Sequence, residues 1–251
     1  MVLFAFNAQA ASDGELTLKK NNPSEIKDCF ENLNRATFAF NQAIDGVLFK
    51  PVASAYKILP QPIRSGISNS LDNLSNVVTI PNNIIQGDIE KAGINVGRFL
   101  LNSTFGLLGI IDVATHMGLP EYEKEDYGQS LAKLGVRPGC YVVLPVIGPS
   151  TVRDASASLI NVVGGDAWYN VTVKNDTQHF SEIDYYSSKL TSGIDFRAKN
   201  FNSIENLEKN SLDFYASVKS LYLQNRQQQI LNINSIVETQ DDSDWEEIES
   251  Q

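Results

Sequence analysis

Residues 99–111, FLLNSTFGLLGII, are thirteen residues between Arg98 and Asp112, eight of them large and apolar. As a helix the segment would span about 20 Å, against a bilayer hydrocarbon core about 30 Å thick. It is too short to cross a membrane alone, and no other stretch reaches the roughly 18–20 uncharged apolar residues of a spanning helix. Two readings stay open: a buried core helix, or a half-depth segment entering one leaflet. Periodicity does not separate them.

Helical signals dominate the rest of the chain. Asn22, Pro23 and Glu25 supply a cap, a first-turn proline and an acid three residues after the cap. Ile26, Cys29, Phe30, Leu33, Thr37, Phe40, Ile44, Val47 and Leu48 follow at helical spacing, with a stop expected at Lys50 and Pro51. A short helix is expected over 52–59, a third over 63–78 ending before Pro81, and a fourth capped by Asp88. That fourth helix has Ile89, Ala92, Val96, Phe99 and Leu100 on one side, and Gly93 and Gly97 lie four apart on it. Residues 120–129, PEYEKEDYGQ, read as a loop in which Glu121, Glu123, Glu125 and Asp126 are solvated; 141–147 read as a short strand or extended loop. Thr151 and Asp154 form a capping box for a helix closed by Gly164 and Gly165, and a last long helix is expected over 203–233. No βαβ alternation is present, so the fold class is all-α.

Composition narrows the function classes. A net charge of −10 argues against a nucleic-acid binder, because neutralising phosphates needs clustered Lys and Arg. Seven acids and no base lie between Glu238 and Gln251; without them the rest of the chain carries only −3. That end reads as an acidic, disordered tail over 234–251. Apolar residues 2–6 precede Ala8, Gln9 and Ala10, resembling the end of a secretory signal, so 1–21 are expected to be a residual signal peptide and flexible start, and the protein exported. Residues 22–233 form the helical domain. Cys29 and Cys140, 111 residues apart, exclude a zinc ribbon, a CxxC pair and a disulfide-dense scaffold; they pair only if the fold brings them together, and are otherwise buried thiols. There is no G-x-S-x-G elbow, P-loop, G-x-G-x-x-G or H-E-x-x-H, and the histidines are His116 and His179. No catalytic residue, metal site or cofactor is assigned, although His179 has Asp176 and Glu182 for neighbours.

Four blocks carry a resemblance: FENLNRATFAFNQAID from Phe30, NNIIQGD from Asn82, VGRFLLNSTFGLLGIIDVAT from Val96, and EDYGQSLAKLGVRPGCYVVLPVIGPSTVRD from Glu125. A weaker fifth is DFYASVKSLYLQNRQ. N-R-x-x-F-x-F-N, Q-G-D, R-F-L-x-N-[ST] and G-P-[ST]-x-x-R-D in this order resemble the MlaA/VacJ family, from about Ile26 to Arg226. The resemblance implies a ring-like arrangement of amphipathic helices seated in one membrane leaflet. It further implies non-enzymatic removal of mislocalised phospholipid from the outer leaflet of the outer membrane, through an amphipathic passage, to a periplasmic lipid-carrier protein. The expected setting is the periplasmic side of the outer membrane of a Gram-negative bacterium, beside a trimeric porin. In that setting Phe99, Leu100, Leu101, Phe105, Leu107, Leu108, Ile110 and Ile111 are expected to meet acyl chains. Arg98, Asp112, Arg153 and Asp154 are expected to line the polar passage, and Gly135, Pro138 and Gly139 to form a gating loop. Family members usually begin, when mature, at a lipid-bearing cysteine, whereas here Cys29 follows Ile26, Lys27 and Asp28, which is no lipobox. The runner-up is a soluble periplasmic lipid-binding or adaptor module.

Overall fold

The computed structural model describes residues 26–121, 123–160, 166–175 and 177–231. The expected cap at Asn22, the glycine stop at Gly164 and Gly165, Asp176, and the segments 1–21 and 234–251 lie outside the described residues.

The first helix, α1 (Glu31–Ile44), starts later than the periodicity suggests. Cys29 is disulfide-bonded to Cys140, with Cα atoms 5.7 Å apart, and the Lys27 carbonyl accepts from Tyr141 N–H at 2.9 Å. Residues 27–29 therefore serve as a partner for the chain around Tyr141 and not as helix. At the other end, Pro51 does not stop the helix. A π-helical turn (Asp45–Phe49) leads straight into α2 (Lys50–Tyr56), with Pro51 in its first turn. Proline lacks an N–H and crowds the preceding turn, and a widened turn accommodates both.

Helix α3 (Gln61–Ile85) runs through Pro81, which was expected to end it. The side chain of Asn82 donates to the Val78 carbonyl at 2.8 Å, adding a donor beside the interrupted ladder. Asp88 caps α4 (Ile89–Thr104) by accepting from Lys91 N–H at 3.1 Å, as its position suggested. The segment 99–111 is not one helix. It leaves α4 after Thr104, turns tightly, and enters the short α5 (Val113–His116). Within the stretch expected to be loop, Asp126 caps a further helix, α6 (Tyr127–Lys133).

Strands β1 (Tyr141–Leu144) and β2 (Gly148–Thr151) form an antiparallel hairpin, Tyr141 opposite Thr151 and Leu144 opposite Gly148. Helix α7 (Val152–Ile160) follows, with Asp154 N–H donating to Thr151 Oγ1 at 3.2 Å. The reciprocal half of the expected box is absent because the Asp154 carboxylate is engaged elsewhere. Next come α8 (Ala167–Tyr169), a second π-helical turn (Asn170–Lys174) and α9 (Glu182–Lys199), capped by a reciprocal Ser181 and Asp184 pair. The periodicity missed α9 because its buried face mixes Tyr185 and Ala198 with Asp195 and Arg197 and shows no continuous apolar stripe. The expected last helix is two, α10 (Phe201–Asn210) and α11 (Phe214–Leu231), separated at Ser211, which adopts extended backbone.

The hairpin hangs on α1 through two asparagines. Asn34 donates to Tyr141 O at 3.0 Å and accepts from Val143 N at 2.9 Å; Asn41 donates to Leu144 O at 2.9 Å and accepts from Val146 N at 2.7 Å. Seven residues of helix rise about 10.5 Å and three of strand about 10 Å, so each amide meets its own stretch of β-backbone. Tyr141, Val143, Tyr215 and Leu223 form a small apolar core behind this seam. From there contacts run from the hairpin to α11, to α6, to α3, to α9, to α2 and back to α1 through the π turn. The packing closes on itself as a circuit, and the architecture is all-α apart from the one hairpin.

Burial is inverted relative to a water-soluble helical bundle. Helix α3 buries Ser68, Asn73, Asn76, Thr79, Asn82 and Asn83, while Ile63, Ile84 and Ile85 face outward. Among the described residues no helix is long and apolar enough to cross a membrane.

Because the disulfide closes a loop of more than a hundred residues, reduction or Cys29→Ser should cost about 4 kcal/mol in the chain-entropy picture. Denaturant unfolding with and without reductant checks this: the midpoint should fall in the wild type and stay put in the variant.

Candidate functional site

Asn69, Asp72, Asn73 and Asn76 stand at i, i+3, i+4 and i+7 on α3, one stripe of a helix in which Asn73 and Asn76 are buried and Asp72 is exposed at its edge. With Arg98 and Asn102 of α4, Asp112 and Thr115 of α5, and Glu121, they line a cavity of about 220 Å3. Arg98 is 2% exposed, and its two terminal nitrogens are paired while its Nε has no partner. Its guanidinium donates to Asp112 at 2.7 Å, to Thr115 Oγ1 at 3.0 Å and to the Pro120 carbonyl at 2.5 Å. Asn102 donates to Asp112 at 2.9 Å and accepts from Ala114 N at 2.9 Å. Burial pushes the Asp112 carboxyl up, but the hydrogen bonds from Thr115 and Asn102 and the charge of Arg98 outweigh it, and its pKa lies below the ordinary value. Asp72 is the opposite case. Among the described residues nothing donates to its carboxylate, and the protein around it raises its pKa by desolvation.

A second cavity, about 150 Å3, lies against another face of α3, between Leu71, Leu74 and Val78 and the side chains of Lys124, Asp126, Asp166, Trp168 and Lys189. A third, about 440 Å3, shares Lys124 and Asp126 with the second and continues to Asp154, Tyr222 and Arg226. Burial and the charge of Lys189 both lower the pKa of Lys124. Glu125, expected to be solvated, is buried and accepts from Gln86 Nε2 at 2.8 Å; desolvation raises its pKa. Asp126, also expected to be solvated, belongs to an ion cluster. The Arg226 fork donates to both Asp126 oxygens at 2.7 Å and to both Asp154 oxygens at 3.0 and 3.1 Å. Arg153 adds a contact to Asp154 at 2.9 Å and Tyr222 one at 2.8 Å. Burial pushes Asp154 up, yet these donors hold it at about 2. Gly128 makes room: a Cβ there would stand 2.3 Å from Arg226 Nη2 and 2.4 Å from Asp154 Oδ1.

The four charged residues expected along one path thus form two separate groups, Arg98 with Asp112 and Arg153 with Asp154. Asp72, Asn76, Asp126, Tyr222 and Arg226 were missed. The polar stripe on α3 was the available signal for the first two. For the others there was none, since Asp126 and Arg226 lie 100 residues apart. Gly135 closes α6 at φ +87°, the Pro138 carbonyl accepts from Arg153 N–H at 3.0 Å, and Gly139, at φ +71°, packs on Val152. His179 is exposed, and among the described residues no group of acids, cysteines and histidines is arranged to hold a metal.

Outside the cavities the turn after α4 presents Phe105, Leu107, Leu108, Ile110 and Ile111 to the exterior, with Leu108 78% exposed. Leu100 is exposed on α4, and Phe99 and Leu101 are half-buried. Leu107 and Leu108 sit in left-handed backbone at φ 52° and 59°. Two glycines shape the turn. A Cβ on Gly106 would meet the Ile111 carbonyl at 2.2 Å, and one on Gly109 would meet Asn73 at 2.6 Å. The N–H groups of Phe105, Gly106, Leu108, Gly109, Ile110 and Ile111 all find carbonyls within the turn or the end of α4.

The sequence matches the profile of the MlaA lipoprotein family over residues 26–229. It is 31% identical over 230 residues to the intermembrane phospholipid transport system lipoprotein MlaA of Haemophilus influenzae, covering 87% of this chain and 84% of that one. It is 37% identical over 142 residues to an uncharacterized protein of Rickettsia prowazekii, a match that spans 56% of each chain. A structure solved in work on the structural basis for maintenance of bacterial outer membrane lipid asymmetry has a TM-score of 0.68 and 31% identity, covering 81% of this chain and 99% of that one.

Asp154 tests the ion cluster. Its folded pKa is below the unfolded value of about 3.9, so its stabilisation is complete above that value and is lost as pH falls toward about 2. The loss should be about 2 kcal/mol between pH 4 and 2. In Asp154→Asn this part of the pH dependence, read from urea midpoints, should vanish, while Arg226→Ala should cost about 3–5 kcal/mol at pH 7 by leaving two buried carboxylates unpaired.

Proposed function

The chain belongs to the MlaA lipoprotein family, and from that premise we propose that it removes mislocalised phospholipid from the outer leaflet of the outer membrane. It works without catalysing a reaction, from the periplasmic side of a Gram-negative envelope, beside a trimeric porin, and hands its cargo to a periplasmic carrier. One observation carries this reading: the interior is polar and cavity-bearing while large apolar side chains face out.

A two-chain phospholipid has close to thirty methylenes, so at about 0.8 kcal/mol each its transfer into water costs roughly 20 kcal/mol. A carrier lowers that barrier by offering tails an apolar surface and the headgroup a polar path. The turn formed by Phe105, Leu107, Leu108, Ile110 and Ile111 suits the tails, with Phe99, Leu100 and Leu101 continuing the surface along α4. Its internally bonded N–H groups favour this placement, because backbone donors left open in hydrocarbon cost several kcal/mol each. Arg98 with Asp112, and Arg153 with Asp154, supply polar walls for the headgroup path. Gly135, Pro138 and Gly139 form the loop that gates it. Residues 22–233 make up the transport domain, flanked by an export signal remnant over 1–21 and an acidic tail over 234–251.

Two measurements test this. Deleting the gene should raise phospholipid in the outer leaflet, read by surface labelling, and unchanged labelling overturns the proposal. The paired variant Leu107→Asn, Leu108→Asn should fold at least as stably as the wild type, since asparagine tolerates left-handed backbone better than leucine. It should nevertheless shift from the detergent phase toward the aqueous phase, each leucine being worth about 1.5–3 kcal/mol of burial. A wild-type chain that stays in the aqueous phase would favour a soluble adaptor instead.

A further inference from the structure

The cavity between α3 and α4 differs from the other two in the sign of its uncommitted groups. Arg98 is neutralised by Asp112, whereas Asp72 and Glu121 line the same space with no ion pair or hydrogen-bond donor on either carboxylate among the described residues, Lys124 and Lys199 acting on Asp72 only from a distance. Asn76, 2% exposed, donates weakly to the Asp72 backbone carbonyl at 3.5 Å, and its buried amide oxygen has no partner. The Asn73 amide oxygen, also buried, has none either. The lining therefore offers acceptors in excess: two carboxylates and two amide oxygens against one unpaired donor, Arg98 Nε.

We propose that this cavity selects a lipid headgroup ending in a primary ammonium, the ethanolamine class, by presenting Asp72, Glu121, Asn73 and Asn76 as acceptors. A primary ammonium has three N–H donors and no acceptor, matching that lining. A quaternary ammonium has no N–H and is bound by aromatic faces, of which this cavity has none. An uncharged polyol or a bare phosphate gains nothing from two free carboxylates. Size agrees: a cavity of about 150 Å3 takes a benzene ring, so 220 Å3 takes the four heavy atoms of an ethanolamine group.

This inference rests on the transport reading above, and its test separates the two. Purified full-length protein in detergent micelles is supplied with equal amounts of dioleoyl phosphatidylethanolamine, phosphatidylcholine and phosphatidylglycerol, and bound lipid is counted by native mass spectrometry. The ethanolamine lipid should exceed each of the others by about tenfold, the value of one charge-assisted contact. Asp72→Asn with Glu121→Gln should lower the bound ethanolamine lipid to the level of the other two, with their amounts and the unfolding midpoint unchanged, because neither carboxylate has a hydrogen-bonded protein partner to lose. Equal binding in the wild type overturns the headgroup inference and leaves the transport reading standing. No lipid bound at all overturns both.

Discussion

A buried polar group is stable only if its hydrogen bonds are made, and in this molecule that requirement organises almost everything else. The interior is stocked with asparagine, arginine and aspartate, and most of these side chains find partners at fixed distance and angle, the exceptions including the Asn73 and Asn76 oxygens that face the cavity. Asn34 and Asn41 stand in for a third strand along the hairpin. Asn102 serves a carboxylate with one end of its amide and a backbone N–H with the other. Arg226 ties α6 and α7 to α11 through five-donor geometry that lysine does not supply. Packing of this kind is directional. Removing one partner leaves a buried group unpaired, while an apolar contact of the same size tolerates substitution.

This explains why the short motifs were readable when much of the secondary structure was not. N-R-x-x-F-x-F-N contains the two asparagines of the hairpin seam. Q-G-D contains the amide that holds Glu125, a glycine at φ +80° and the cap of α4. R-F-L-x-N contains the Arg98 and Asn102 network, and G-P-S-x-x-R-D the second strand and Asp154. Apolar periodicity assumes that a helix faces inward with its greasy side. Here α3 and α9 do the reverse, so the method shortened one and missed the other. Pro51 and Pro81 misled for a related reason: tertiary contacts keep the chain helical past both, with a π turn at one and an added side-chain donor at the other. The disulfide and the Asp126–Arg226–Asp154 cluster span sequence separations of 72 to 111 residues and follow only from the closed circuit of helices.

The other side of the inversion is the turn at Leu107 and Leu108. Left-handed backbone costs a branched residue about 1–2 kcal/mol, and two in succession would be selected against in a loop meant only to face water. Serine, asparagine or glycine would relieve the strain there at no loss of solubility. Leucine is explained if the medium outside is apolar. Burying two leucines in lipid returns about 3–6 kcal/mol, more than the strain consumes. The same turn leaves few backbone donors open, a condition that hydrocarbon imposes and water does not.

The inner and outer surfaces meet at Asn73. Its side chain lines the acceptor-rich cavity, donates to Ser103 of α4 at 2.9 Å, and sits so close to Gly109 that no larger residue fits there. The apolar turn and the polar cavity are thus two sides of one wall, a single side chain thick. A lipid lying across that wall would keep its tails on Leu107 and Leu108 while its headgroup reached Asp72, with no part of the tails entering the cavity. On the transport reading proposed above, such a placement would divide the cargo between media instead of enclosing it, and cavities of a few hundred cubic ångströms would suffice for a ligand many times their size.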